Sequence, residues 1–184
     1  MSADNMIRVG EAFELDERLT VVGRRLEPGE IAPEFTLDFL EAETSAIRPV
    51  TLADSAGMVR LLNVVNSLDT PVCQLETRRW ENVAADLPTS VRIYTISMDL
   101  PFAQARWQSS EGVQHQMLSA HKSERFGSDY GVLIQEWRLL QRAVFVVDAE
   151  GRIAYSQYVA DQMHQPDYTA ALDAVRALLP TANP

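Results

Sequence analysis

The only cysteine of the 184-residue chain lies in the segment SLDTPVCQLETRRW, residues 67–80. Thr70 and Pro71 form a helix-start signal ahead of it, because threonine is a favoured N-cap and proline is tolerated at the first helical position. Cys73 is then the third residue of the predicted helix. A thiol at this position lies near unpaired backbone N–H groups and the positive end of the helix dipole, and both favour the thiolate, which is the nucleophilic form.

The same cysteine is also compatible with a purely structural role. Free cysteine is among the most buried residue types and often behaves as a small apolar side chain. One face of the predicted helix carries Cys73, Glu76, Trp80, Val83 and Leu87. The apolar members of this face predict that it points inward, which suits a sheltered sulfur and an inert one equally. The helical spacing therefore leaves a reactive and an inert cysteine open.

The elements that must hold this cysteine alternate between strands and helices. A β-hairpin is predicted at about residues 10–26. Strand patterns then cover residues 32–37, 58–65, 91–98, 143–148 and 153–159, and helical patterns begin near residue 70 and cover 100–109 and 166–179. This order predicts an α/β fold with a mixed central sheet. Such folds carry their chemistry beyond the carboxyl ends of the strands, and Cys73 follows the strand end at residue 65.

The composition argues against several classes of protein. The net charge of −10 and the pI near 4.7 argue against a nucleic-acid binder, which normally carries a basic surface. No apolar run approaches the roughly 18 residues of a membrane span, and the first residues lack the apolar centre of a secretory signal. We therefore expect a single domain over residues 1–184, in the cytoplasm, with neither nucleic acid nor membrane as a partner.

No metal or organic cofactor is predicted. His115, His121 and His164 are scattered without the spacing of metal ligands. Neither glycine-rich phosphate-binding motif occurs in the chain. The segment CQLE, residues 73–76, also lacks the second cysteine of a C-x-x-C motif, which excludes ordinary dithiol–disulfide exchange.

Two segments resemble the thiol peroxidase branch of the peroxiredoxin family. DTPVC, residues 69–73, is similar to the family's T-x-x-C motif, and SMDLPFAQARW, residues 97–107, is similar to its S-x-D-L-P-F-A signature. Residues 30–37 and 141–148 also resemble segments of that family. The resemblance implies a thioredoxin-like fold with a mixed central sheet flanked by helices and an N-terminal β-hairpin. It also implies reduction of peroxides, a homodimer, and no metal or organic cofactor.

Three site residues follow from this resemblance. It makes Cys73 the peroxidatic cysteine, Thr70 its hydrogen-bonding partner, and Arg142 the guanidinium that stabilises the thiolate and polarises the peroxide. Fixed donors and a permanent cation suit this reaction, because charge develops on the leaving oxygen as the O–O bond breaks. The alternative for Arg142 is an ordinary surface or ion-pairing arginine.

Two positions depart from the family's pattern. Gln108 stands where the atypical two-cysteine peroxidases of this branch have a second, resolving cysteine. An amide cannot attack a sulfenic acid, so an external thiol must regenerate Cys73: a small thiol, a redoxin or another subunit's Cys73. Asn66 stands four residues before Thr70, where peroxiredoxins usually have a proline. Two hypotheses follow: a single-cysteine thiol peroxidase acting on hydrogen peroxide or alkyl hydroperoxides, or a non-turnover redox sensor or binding protein of the same fold.

Overall fold

The central strands are formed by runs of apolar, partly β-branched residues. The computed structural model describes residues 6–180. In chain order the strands are β1 (Ile7–Glu14), β2 (Glu17–Val22), β3 (Thr36–Leu40), β4 (Ile47–Thr51), β5 (Val59–Val64), β6 (Val91–Ser97), β7 (Gln116–Ser119), β8 (Leu133–Ile134), β9 (Leu139–Leu140), β10 (Ala143–Val147) and β11 (Ile153–Tyr158). The helices are α1 (Pro71–Ala84), α2 (Pro101–Glu111), α3 (Arg125–Asp129) and α4 (Tyr168–Ala177). Every residue of β5 and β10 is buried, as expected for strands covered on both faces.

The main sheet has seven strands in the order β11-β10-β5-β6-β7-β3-β4. β5, β6 and β7 run parallel to one another, and β10 pairs antiparallel with β5. The predicted α/β fold with a mixed central sheet is therefore confirmed. The parallel part of the sheet places the carboxyl end of β5 beside that of β6, and α1 starts just beyond this edge.

Alternating side chains of the strands enter two cores on opposite faces of the sheet. Along β10, Val144 and Val146 pack with Trp80 of α1 and Val175 of α4. The intervening residues of β10, such as Phe145, pack on the other face with the segments before β3 and around α3. This period of two is the pleat of a strand covered on both sides. It fixes α1 and α4 on one face of the sheet.

The N-terminal hairpin was predicted at about residues 10–26 and is observed as β1 and β2, from Ile7 to Val22. It does not join the main sheet. β2 pairs with β8, and β8 pairs with β9, which gives a separate four-stranded sheet. The hairpin therefore packs against the segment that leads towards Arg142 rather than extending the central strands.

The short strands β4 and β7 are absent from the sequence prediction, and β3 is shifted relative to the strand predicted at residues 32–37. β4 is the edge strand of the main sheet, and its Pro49 is acceptable there because an edge strand does not need every N–H. β3 begins at Thr36 rather than at residue 32, since Pro33 cannot donate to a strand ladder. β7 has four residues, and its parallel pairing with β6 rather than its own pattern makes it a strand.

Within residues 6–180, no helix has the length and apolar character needed to cross a membrane.

Candidate active site

Cys73 lies in the first turn of α1, directly beyond the carboxyl end of β5. The helix begins at Pro71 with Thr70 as its N-cap, as the sequence predicts. The Cys73 side chain is 0% exposed and packs in a small apolar cluster that includes Val65 and Trp107. The sulfur is therefore sheltered between the start of α1 and the side of α2.

Arg142 reaches the sulfur because of the register between two strands. Ala143, the first residue of β10, pairs with Val64, the last residue of β5. Arg142 therefore lies beside the loop that connects β5 to α1. Its Nη2 is 3.4 Å from Cys73 Sγ, and its side chain is 1% exposed. The structure thus brings two of the three residues of the sequence prediction into contact.

The buried carboxyl group of Glu76 also contacts the Arg142 guanidinium. Arg142 Nη1 donates to Glu76 Oε2, and both side chains are buried. Burial raises the pKa of Glu76 to about 7, because the lost hydration of the carboxylate outweighs the attraction of Arg142. Burial also disfavours the Arg142 cation, but the adjacent Glu76 and Cys73 more than offset this and raise the pKa of Arg142. The guanidinium therefore stays charged although its side chain is buried.

Asn66 supplies the third polar contact of this cluster. Its Oδ1 lies 3.9 Å from Cys73 Sγ and 3.4 Å from Arg142 Nη2. Its Nδ2 donates to the backbone oxygen of Leu140 at 2.6 Å and to Gln162 Oε1 at 3.0 Å. The polar residue at the position of the family's proline is thus buried, and both ends of its amide are hydrogen-bonded.

Thr70 is the N-cap residue of α1 by position but makes no hydrogen bond to the sulfur. Its hydroxyl donates to the backbone oxygen of Ser67 at 3.0 Å and makes no capping hydrogen bond to the helix. In the described part of the chain, Asn66 and Arg142 provide the hydrogen-bonding contacts of Cys73 Sγ. Among the described residues, the Thr70 side chain is therefore not hydrogen-bonded to Cys73 Sγ or to Arg142.

Comparison with known proteins establishes the family. Residues 28–156, more than half of the chain, match the AhpC/TSA family. The chain belongs to this family. Relatives of this AhpC/TSA protein include the thiol peroxidase of Halalkalibacterium halodurans, which is 44% identical over 162 residues that cover 88% of this chain and 94% of the relative. The thiol peroxidase of Bacillus subtilis is 41% identical over 162 residues, covering 88% and 93%.

Solved structures agree with this assignment. A peroxiredoxin-like protein from Aquifex aeolicus has a TM-score of 0.80 and 31% identity, covering 93% of this chain and 99% of its own. A thiol peroxidase from Chromobacterium violaceum has a TM-score of 0.79 over 90% of this chain and 95% of its own, and at 23% identity it supports the fold alone. The predicted thioredoxin-like fold and the resemblance to thiol peroxidases are confirmed.

The side chain of Gln108, in α2 of this AhpC/TSA-family chain, is hydrogen-bonded to the loop before β7. It lies on α2, and its Nε2 donates to the backbone oxygen of His115 at 3.0 Å. The ion pair between Arg78 and Glu111 additionally joins α2 to α1. The residue at the resolving position therefore fastens α2 to the loop that precedes β7.

Two residues of the cluster are missing from the sequence prediction. Glu76 had a readable signal, because it shares the inward helix face of Cys73 and Trp80, and a buried carboxylate needs a cation. Gln162 follows β11, and its side chain oxygen accepts from the Arg142 backbone N–H at 2.9 Å while its backbone oxygen accepts from Arg142 Nη2 at 2.9 Å. No motif or spacing in the sequence points to Gln162.

His115 is held by hydrogen bonds to a helix and to the central sheet. Within the described range 6–180, no three His, Cys, Asp or Glu side chains are grouped as metal ligands. His115 is buried, with Nδ1 at 2.6 Å from Glu81 Oε2 and Nε2 at 2.8 Å from Thr95 Oγ1. Burial lowers the pKa of His115 despite the Glu81 carboxylate. His115 thus links α1, through Glu81, to β6, through Thr95.

Proposed function

We propose that Cys73 is the peroxidatic residue of a thiol-dependent peroxidase that reduces hydrogen peroxide or alkyl hydroperoxides. The observation that carries this proposal is the 3.4 Å contact between Arg142 Nη2 and Cys73 Sγ at the start of α1. Its setting is an AhpC/TSA-family chain whose relatives include thiol peroxidases at 41–44% identity. A neighbouring guanidinium favours the thiolate and never releases its own proton under physiological conditions.

The reaction transfers two electrons from sulfur to peroxide. The Cys73 thiolate attacks one peroxide oxygen, the S–O bond forms as the O–O bond breaks, and the leaving oxygen takes up a proton to become water or an alcohol. Negative charge develops on that leaving oxygen, and the Arg142 cation stabilises it from a fixed position. The Thr70 hydroxyl donates its hydrogen bond to the backbone oxygen of Ser67, so we assign its oxygen the role of accepting a hydrogen bond from the hydroxyl of the bound peroxide.

Regeneration requires a thiol from another molecule, because Cys73 is the single cysteine of the chain. The incoming thiolate attacks the sulfenic sulfur to form a mixed disulfide, and the hydroxyl takes up the proton that the incoming thiol released and leaves as water. A second external thiol then attacks the mixed disulfide. This releases the Cys73 thiol and joins the two external thiols in a disulfide. Since the Cys73 side chain is 0% exposed, the first turn of α1 has to move to admit a small thiol or a redoxin.

A redox sensor on the same fold is the second candidate. The buried sulfur and the glutamine at the resolving position favour it, because both slow the return to the thiol. In that case oxidised Cys73 would persist and alter a surface or form a lasting mixed disulfide.

One experiment in two stages separates these candidates. Reduced protein is mixed with one equivalent of hydrogen peroxide, and the sulfenic acid is trapped and measured by mass spectrometry. A Cys73 thiol that survives for minutes contradicts peroxidase chemistry. Steady-state turnover is then measured with a small thiol and with a redoxin, using Cys73→Ser as the inactive control. Rapid single oxidation without turnover with either donor identifies the sensor.

We also propose a cytoplasmic homodimer built from one domain spanning residues 1–184. A free thiol suits a reducing compartment. Leu75, Leu100 and Phe102 are each about half exposed at the starts of α1 and α2, which suits contact with a second copy. Light scattering should give twice the chain mass, and Phe102→Glu should reduce it to one chain mass. Leu15→Glu, at the exposed hairpin turn, is the matched control and should leave the mass unchanged.

A further inference from the structure

We propose that Asn66 is a positioning residue whose amide oxygen accepts a hydrogen bond from the sulfenic acid formed on Cys73. In this role Asn66 keeps the sulfenic acid protonated until an external thiol removes it. The inference rests on the proposed peroxidase function and extends it to the oxidised state. The feature that carries it is the buried amide of Asn66, with Oδ1 on the sulfur side.

The orientation of this amide is determined by its neighbours. Asn66 Nδ2 donates to Leu140 O at 2.6 Å and to Gln162 Oε1 at 3.0 Å. A carbonyl oxygen can only accept. The Gln162 amide is itself oriented, because its Nε2 donates to the backbone oxygens of Val159 at 2.7 Å and Ala160 at 3.0 Å. Turning Asn66 over would place its oxygen against two other oxygens, so Oδ1 must face the sulfur.

The sulfur therefore contacts both a charged donor and a neutral acceptor, which are 3.4 Å from each other. Arg142 Nη2 is 3.4 Å from Cys73 Sγ, and Asn66 Oδ1 is 3.9 Å from it. Of these two groups, only Arg142 stabilises an anion on the sulfur. A protonated group gains from both, because its proton can be donated to Asn66 Oδ1 while its sulfur or oxygen accepts from Arg142. Asn66 therefore favours the protonated sulfenic acid over the sulfenate.

The protonation state decides which reaction follows. A sulfenate attacks a second peroxide, forming another S–O bond as the O–O bond breaks, and the resulting sulfinic acid is not recovered by thiols. A protonated sulfenic acid is instead attacked at sulfur by a thiolate, and its hydroxyl takes up the proton that the incoming thiol released and leaves as water. Because the chain contains no second cysteine, the sulfenic acid of Cys73 persists until a thiol of another molecule reacts with it. Asn66 thus favours reaction of the sulfenic acid with a thiol over its further oxidation by peroxide.

The test compares two rates in the full-length chain. Sulfenic acid is generated with one equivalent of hydrogen peroxide and then mixed either with excess peroxide or with a small thiol. Mass spectrometry follows the sulfinic acid and the mixed disulfide. In Asn66→Leu, the rate of sulfinic acid formation divided by the rate of mixed disulfide formation should rise about fivefold. This is the factor that corresponds to one neutral hydrogen bond.

Asn63→Leu is the matched control. Asn63 is an equally buried asparagine on β5, and its amide bonds to Thr95 and Trp80 instead of the sulfur. It should lose stability as Asn66→Leu does, yet keep the native ratio of rates. A native ratio in Asn66→Leu, or an equal rise in both variants, overturns the role of Asn66.

Two further outcomes keep the test decisive. If Asn66→Leu does not fold, Asn66→Pro removes the same acceptor and should show the same rise. If neither folds, the native sulfenic acid must react faster with the thiol than with equimolar peroxide, and the reverse order overturns the inference. If one equivalent of peroxide leaves the Cys73 thiol of the native chain unoxidised, the peroxidase function itself is refuted. That result differs from an unchanged ratio of the two rates in Asn66→Leu, which refutes only the role of Asn66.

Discussion

Replacing Arg142 by methionine separates the chemical role of the guanidinium from its structural one. Methionine keeps much of the length and apolar volume of the side chain but removes the donors to Cys73 and Glu76. Loss of one preorganised donor to developing charge slows a reaction by about 10²–10³. We therefore expect stoichiometric oxidation of Cys73 by peroxide to slow by at least about 100-fold.

The cost in stability follows from the buried carboxyl group. Removing one partner of a buried ion pair costs about 3–5 kcal/mol. The pKa of Glu76 is already raised to about 7 by burial, and loss of Arg142 raises it further. The Glu76 carboxyl is then neutral at pH 7, so we expect the lower end, about 3 kcal/mol, at that pH. The loss should grow at higher pH, where the native state must ionise this group without a cation.

The assay combines peroxide stopped-flow with urea unfolding at several pH values. The double variant Arg142→Met with Glu76→Gln should regain the pH-dependent part of the stability and none of the rate. Arg176→Met breaks an exposed ion pair with Asp173 and should change stability by less than about 0.5 kcal/mol. An oxidation rate within tenfold of native in Arg142→Met would refute the electrostatic reasoning. So would a pH-dependent loss that persists in the double variant.

Three further predictions concern α1. Cys73→Ser should consume no peroxide in a coupled assay, and residual consumption would mean that another group reacts. Because the pKa of Glu76 is raised from 4.5 to about 7, its contribution to stability is fully present below about pH 4.5 and declines by about 3 kcal/mol as the pH rises through 7. In Glu76→Gln, urea midpoints at pH 5 and pH 8 should lose this difference, and an unchanged difference would assign it to another group. Trp80→Ala should cost about 3–5 kcal/mol in urea unfolding, because the indole is fully buried, packs 4.9 Å from the Tyr168 ring and donates to Asn63 Oδ1. A loss below about 1 kcal/mol would contradict that packing.

The long central elements could be predicted because their own residues determine them. β5, β6 and β10 are apolar runs, and α1 begins at a Thr-Pro pair that is a local signal. The short strands were not predictable in this way. β8 has two residues, which become a strand because β2 and β9 lie on either side of it. Pairing over long sequence separations leaves no periodic pattern in so few residues.

The sequence by itself determined that a lone cysteine would stand at the third position of a helix, beyond the end of a buried strand. It also determined that no second cysteine could resolve it. Only the tertiary structure decided what surrounds the sulfur. The antiparallel register of β10 on β5 places Arg142 Nη2 at 3.4 Å from Cys73 Sγ. The loop after β11 supplies Gln162, whose side chain orients the amide of Asn66. These groups come from segments far apart in the chain, and hydrogen bonds and charge act across a few ångströms that local sequence cannot specify.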